Sequence, residues 1–539
     1  MRALSLSLTF SYRPLTHPCH PPPLPIFSLY SVPFWCPENE YTKEFRWIHS
    51  HQNESNTRLI FSEPHPDDAL RFYRMLFDYG IANGMSGFEN DYLDYNYLAM
   101  PYLRKTHGAA NKWLAGINKA ALERNLPVQI CMALPSDVMA TVQFDRSVSH
   151  LSLFPPNSSR LEESFVSTNS PTHSPAKNSM TNYRSSTDYG IDDSSTTMQP
   201  HDSNYNIGGS SLLGFALGLR PSKDIFWSHR PENCRADDPT LNPHACGGRW
   251  GAHTNPGSNC ELNALVATLS TGPLSIADKA GETNATIIRR CVRADGRILQ
   301  PDKPATSVDS MFAQAFAGSE SERSEGAAMA RTTPQPLGAE VWTTVVSISG
   351  VVWHYVISID VGVPWHIHGS DFWPMLPNTA SEAEATAGWV ASSWFTGHRP
   401  TPCTNGSRAL KSGCVVARIF SAEDLPPFHN TRPIMVANDS HRFDLTELAP
   451  VGRNGWVLLG EVGRYVRVSS DRFDEVSFTA GGGGGVAVQM SGSEGETASV
   501  TALQPLSSAE EKEEEEWVVQ VRSVTFGGSG KATIAFGPL

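Results

Sequence analysis

From residue 58 to residue 292, short apolar runs alternate with amphipathic segments, and this rhythm confines that part of the chain to folds made of strand–helix units. Strands are predicted at 58–61, 85–88, 128–133, 182–185, 225–227 and 274–277. Helices are predicted at 66–79, 109–125, 137–144, 210–219, 261–270 and 285–292. A proline near the start and Gly80 at the end punctuate the first helix. Strands separated by helices pair in parallel, and so many units in one order favour a (β/α)8 TIM barrel over an open sheet. Counting back from the last unit makes 85–88 the fourth barrel strand and 182–185 the sixth. Only 57 residues precede Arg58, too few for the early units, so a partial, N-terminally truncated barrel is expected over 45–310.

After a linker at 311–337 the pattern changes. Period-two strands are predicted at 341–349, 353–359, 455–462, 476–479, 517–524 and 532–536, with helical periodicity nearly absent. The expected fold class is therefore α/β, a partial TIM barrel followed by a C-terminal antiparallel β-sandwich at 338–539. Residues 481–485 read as a flexible glycine turn, and the acidic run 510–516 as a solvated loop. Two stretches fit neither domain. Residues 1–44 form an irregular N-terminal segment, with prolines at 14, 18, 21, 22, 23 and 25 that deny the backbone both helix and central strand. Residues 149–180 form a low-complexity insert rich in Ser, Pro and Asn. Both read as retained introns or mistaken gene-model ends, and transcript sequencing decides this: a cDNA containing both would sink the idea.

Composition narrows the function classes. Apolar residues at 40% allow a sizeable core, and a net charge of −13 argues against a nucleic-acid surface, which needs clustered basic charge. No apolar run approaches the ~18 residues of a membrane span. Nine cysteines are too few for a disulfide scaffold, although Cys234 with Cys246, or Cys403 with Cys414, could each close a surface loop. Glycosylation sequons at Asn53, Asn157, Asn284, Asn405 and Asn438 lean toward secretion, while the apolar run 3–10 is short for a signal peptide, so a cytoplasmic location stays open. Oligomeric state is not encoded in any motif found.

Barrel enzymes present reacting side chains at the C-terminal ends of their strands. Two such ends carry carboxylates: Glu89, Asp91 and Asp94 after the fourth strand, and Asp188, with Asp192 and Asp193 further on, after the sixth. Retaining cleavage of a glycosidic bond needs two carboxyls about 5–5.5 Å apart, one attacking and one protonating the leaving oxygen. The bland alternative is that both groups are loop caps or surface residues. Asp91 is the carboxylate best placed for attack, with Glu89 and Asp94 as competitors. Trp227, after the seventh strand, could stack on a sugar face or pack in the core. His366 and His368 share a strand face without a third ligand, which argues against a metal site. His65-Pro66-Asp67-Asp68 starts a helix, because carboxylates favour its N-terminal end. With no Walker loop, dinucleotide fingerprint or nucleophile elbow, no cofactor is expected.

The segment Arg184-Ser185-Ser186-Thr187-Asp188-Tyr189 resembles the acid/base motif of glycoside hydrolase family 36, the α-galactosidase and raffinose synthase group. Ile276-Ala277-Asp278-Lys279-Ala280-Gly281, followed by Asp295-Gly296-Arg297-Ile298-Leu299, is similar to the family's Ser-Asp-Lys-Pro-Gly and Asp-Gly-Ser-Ile-Leu signature at the last barrel strand. The segment from Phe88 to Leu93 resembles its nucleophile strand. The likeness spans roughly residues 45–310 and implies Asp91 as nucleophile, Asp188 as acid/base, and Arg184, Trp227 and Asp278 as substrate-binding residues. It implies an oligosaccharide substrate of α-galactoside type, cleaved or transferred with retention. Two departures mark a divergent subgroup: the family's N-terminal β-domain and first barrel strands have no counterpart, and Glu89 stands where the family commonly carries Lys. A carbohydrate-binding pseudoenzyme is the rival expectation.

Overall fold

The computed structural model describes residues 42–49, 62–91, 93, 97, 100–133, 135–144, 179–185, 207–223, 225–226, 228, 260–276, 278, 280–309, 311, 340–359, 361, 365–367, 372, 386–394, 419–421, 434–436, 443–479, 484–505 and 517–538. These form two compact units. One holds the described residues up to Arg184 together with Leu213–Pro221; the other holds those from Ser185 to Leu212 and from Ser222 onward. The fold is mixed α/β, with a parallel four-stranded sheet and a large antiparallel one. Among the described residues no helix is long and apolar enough to cross a membrane.

The first unit opens with β1 (Trp47–His49) paired antiparallel to β2 (Ser62–Pro64), followed by α1 (Ala69–Ala82), β3 (Phe88–Asn90), α2 (Pro101–Lys105) and α3 (Ala109–Leu122). Next come β4 (Val128–Ile130), α4 (Pro135–Ala140) with a 3-10 turn at Thr141–Phe144 and β5 (Met180–Arg184); α5 (Ile207–Ala216) and β6 (Arg220–Ser222) follow, with Ile207–Leu212 and Ser222 counted in the second unit. The expected strand at 58–61 lies outside the described residues. Its neighbour β2 pairs with β1 rather than joining the parallel sheet. Asp68 starts α1 without capping it: its carboxylate accepts from the Arg46 backbone N–H at 2.9 Å and from Arg46 Nε at 3.0 Å, and those bonds hold it below the usual carboxylate range.

The apolar stripe of α1 buries Phe72, Tyr73 and Phe77, each contributing about 1.5–3 kcal/mol through burial. Phe77 meets Phe88 edge-on at 4.9 Å between centroids, which ties the helix to β3. α3 crosses α1 so closely that a side chain at Gly116 would meet the Leu70 backbone nitrogen at 2.9 Å, so glycine is required despite its low helix propensity.

The second unit contains α6 (Cys260–Leu269), α7 (Ala285–Cys291), β7 (Thr306–Ser307), β8 (Glu340–Ile348) and β9 (Val351–Ile359). It continues with β10 (Trp365–Ile367), β11 (Thr386–Ser393), β12 (Ile419–Ser421), β13 (Ile434–Val436), β14 (Phe443–Gly452) and β15 (Val457–Gly460). The last strands are β16 (Phe473–Thr479), β17 (Gly485–Ser491), β18 (Thr497–Pro505), β19 (Trp517–Thr525) and β20 (Lys531–Phe536). The Asn284 side chain caps α7 by accepting from Thr286 N at 3.0 Å. Ser349 and Gly350, at φ 54 and 77, close the β8–β9 hairpin as a two-residue turn whose left-handed backbone matches strand twist.

Nine strands form one sheet, ordered β19-β18-β15-β14-β9-β8-β7, with β11 and β12 off that path; β16-β17-β20 form a second. One core takes Trp353, Tyr355 and Ile357 from the large sheet, Val476, Val488 and Phe536 from the small one, and Leu262 and Leu265 from α6. Residues on both sides of the predicted 311–337 linker thus share one core. The opposite face of the large sheet is buried too, through Val341, Val356, Trp389 and Leu448. Burial of both faces explains why β8 and β9, predicted as period-two strands, carry apolar side chains on both sides.

Two arginines buried in this unit are paired with carboxylates. Arg467 Nη1 lies 3.2 Å from the buried Glu447 carboxylate, which also accepts from Tyr355 OH at 3.0 Å. Fully buried Arg472 meets both Glu461 and Glu496. His354 is different. It is fully buried beside Phe372, its Nδ1 meets no hydrogen-bond partner, and burial pushes its pKa down to about 3. The unfolded chain takes up a proton below about 6.5 and the folded chain does not, so stability falls as pH drops from about 6.5 to about 3. His354→Phe is therefore expected to remove about 1.4 kcal/mol per pH unit from the acid slope in that window. Urea unfolding of both proteins between pH 4 and 7 measures this, and parallel slopes would refute it.

Candidate active site on the polar face of the parallel sheet

The four strands β3, β4, β5 and β6 lie side by side in chain order. Phe88, Glu89 and Asn90 stand opposite Val128, Gln129 and Ile130 in parallel register. Val128, Gln129 and Ile130 then stand opposite Met180, Asn182 and Tyr183, with a register shift at the first step. That shift turns both Met180 and Tyr183 toward the helices, with Phe88, Val128 and Ile130, in a core shared with α1 and α3. It also leaves Asn182 and Arg184 on the other face. Strand alternation carries Glu89, Gln129 and Asp91 to that same face.

The first layer of this face is a hydrogen-bonded ladder. Asn182 Nδ2 donates to Gln129 Oε1 at 2.6 Å, and Gln129 Nε2 donates to Glu89 Oε1 at 2.9 Å. One layer toward the C-terminal strand ends stand Asp91, after β3, and Arg184, ending β5; both are buried. Cys131 follows β4 at the same level, buried and reduced, and its backbone N–H donates to Asn90 O at 2.9 Å. Buried carboxylates and a guanidinium at strand ends can attack an electrophilic carbon, orient hydroxyls and bias proton positions.

Of the residues singled out in the sequence, Asp91, Glu89 and Arg184 come together on one sheet face. Asp188 and Trp227 lie outside the described residues, as do Asp94, Asp192, Asp193 and His368. Asp278 belongs to the second unit. There Phe226 and Ile276 form a single parallel bridge where the seventh and eighth strands were predicted. Asp278 fastens that bridge: its Oδ1 accepts from the Ser228 N–H at 2.8 Å and its Oδ2 from the Ser228 hydroxyl, whose oxygen accepts from Asn284 N at 2.7 Å. Gln129 and Asn182 were missed. The signal was a lone amide inside each of two parallel strands, where sheets covered on both faces are ordinarily apolar.

Among the described residues no group of three His, Cys, Asp or Glu side chains could hold a metal ion. No protein-family model matches this chain, and no curated protein matches it.

Proposed function

We propose that this chain is a retaining glycoside hydrolase or transglycosylase acting on α-galactoside-like oligosaccharides, with Asp91 as nucleophile and Asp188 as acid/base. The observation that carries the reading is the parallel sheet in unbroken chain order, with a buried carboxylate just past its first strand and a buried arginine ending its third. Open doubly wound sheets reverse strand order at a switch point, whereas a (β/α)8 barrel keeps it, so the order from Phe88 to Ser222 supports a barrel segment within 45–310. Two antiparallel sheets sharing a core support a β-sandwich reading for 338–539.

In the proposed mechanism Asp91 attacks the anomeric carbon and Asp188 protonates the departing oxygen. The Asp91–sugar ester is then opened by water or a second sugar, with Asp188 taking the proton back. Arg184 orients the sugar or the nucleophile. Asp278, spent on Ser228, acts by fixing the end of the strand that carries it.

The direct trial is a panel of aryl α-glycosides offered to the full-length protein, with aryl α-galactosides expected to be cleaved fastest. Glu89, where the family commonly has Lys, keeps the pseudoenzyme reading alive: sugar binding without turnover on any member of the panel would favour it.

A further inference from the structure

Helix α7 is held at both ends, and each hold comes from a different stretch of the second unit. At its start the Asn284 backbone N–H donates to the Ser228 hydroxyl oxygen at 2.7 Å, and Ser228 is itself fastened to Asp278. At its other end the last carbonyls have no partner within the helix, and the loop between β15 and β16 supplies one. The Tyr465 N–H donates to Arg290 O at 3.2 Å, and Arg464 Nη1 donates to Val292 O at 2.8 Å. A guanidinium there also suits the negative end of the helix dipole. The Tyr465 hydroxyl reaches α6 as well, donating to Glu261 O at 3.2 Å. Ile287, Ile288 and Cys291 pack α7 against the common core, a hold without direction. The bonds at its ends are directional, and they fix where the helix stops along its axis. Across its 7 residues, about 10.5 Å at ~1.5 Å each, α7 joins the β15–β16 loop to the Asp278–Ser228 clasp.

We infer that Arg464 is a positioning residue, a side chain far along the sequence that acts through α7 to hold the clasp of Ser228 by Asp278. Its link to the sugar rests on the glycosidase reading above, which sets that clasp at a strand end where substrate binds. Coupling of this kind is carried by packed, hydrogen-bonded elements such as this capped helix.

Amide hydrogen exchange, read by mass spectrometry on the full-length protein, tests the hold directly. Arg464→Met keeps the apolar stem and removes the bond to Val292 O. It is expected to speed exchange of the Ser228 and Asn284 amides, both of which donate into the clasp, by about ten-fold. Val488, buried on β17, should keep its protection. Arg464→Lys retains a donor and should restore most of the loss. Coupling is reciprocal, so Ser228→Ala should speed exchange of the Tyr465 amide, which keeps the question measurable if Arg464→Met fails to fold. On an aryl α-galactoside, Arg464→Met should raise KM about ten-fold with kcat little changed. Added to Ser228→Ala, it should raise KM hardly further, because both act on one path. Unchanged exchange at Ser228 and Asn284, an equal rise at Val488, or fully additive KM losses would overturn the inference and leave the glycosidase reading intact. Coupled exchange in a protein that cleaves and binds no member of the aryl α-glycoside panel would overturn that reading and leave the hold on the clasp standing.

Discussion

Asp91→Ala is expected to lower kcat on an aryl α-galactoside by ~10⁴-fold or more, ~5.5 kcal/mol at ~1.36 kcal/mol per decade. An activated leaving group departs without protonation, so what the variant lacks is the attacking oxygen and the covalent intermediate it forms. Azide fits the space left by the missing carboxylate and attacks the same face of the anomeric carbon. It should restore turnover and yield a glycosyl azide of inverted configuration, readable by proton NMR. Asp91 is buried at the end of β3, and Glu89 precedes it on the same face. A near-normal kcat in Asp91→Ala, with collapse in Glu89→Ala or Asp94→Ala, would assign attack to one of those neighbours instead.

The second large effect is selective. Asp188→Ala should slow hydrolysis of a natural disaccharide by ~10²–10⁴-fold, the usual value of protonating a poor leaving group. Glycosylation by a nitrophenyl glycoside should be nearly spared, because nitrophenolate leaves unaided. Azide rescue here should give the retained configuration, since azide now opens the Asp91–sugar ester. The opposite stereochemistry of the two rescued products is what separates the two roles. Asp192→Ala and Asp193→Ala must be assayed in parallel. Wild-type behaviour of Asp188→Ala on both substrates, with a defect in one of the others, would move the acid/base role along the loop.

The helices were the most legible part of the fold. The predicted 109–125 and 261–270 became Ala109–Leu122, whose apolar positions recur at helical spacing, and Cys260–Leu269, which is buried all round from Leu262 to Leu269. Strand partners were not legible. Nothing local told β2 to pair antiparallel with β1, since that choice is made by tertiary packing. β14 was missed altogether, because Glu447 and Pro450 interrupt its apolar pattern. The structure accommodates both: Glu447 is paired with Arg467 and Tyr355, and Pro450 stands opposite Trp389, beside the register shift between Thr386 and Gly388. At the site, Asp91 and Glu89 were found by the rule that barrel chemistry gathers at strand ends. Gln129 escaped it because a single polar residue between Val128 and Ile130 looks like the solvent side of a half-buried strand. Its role exists only once Glu89 and Asn182 stand beside it in register.

As the nucleophile, Asp91 becomes covalently attached to the sugar. Incubation of the full-length protein with an activated 2-deoxy-2-fluoro-α-galactoside, followed by proteolysis and mass spectrometry, measures it directly. One added fluorosugar per chain is expected, located by fragmentation on Asp91 and absent from Asp91→Ala. A label on Glu89 or Asp94, or an active enzyme that accumulates no label at all, would contradict it.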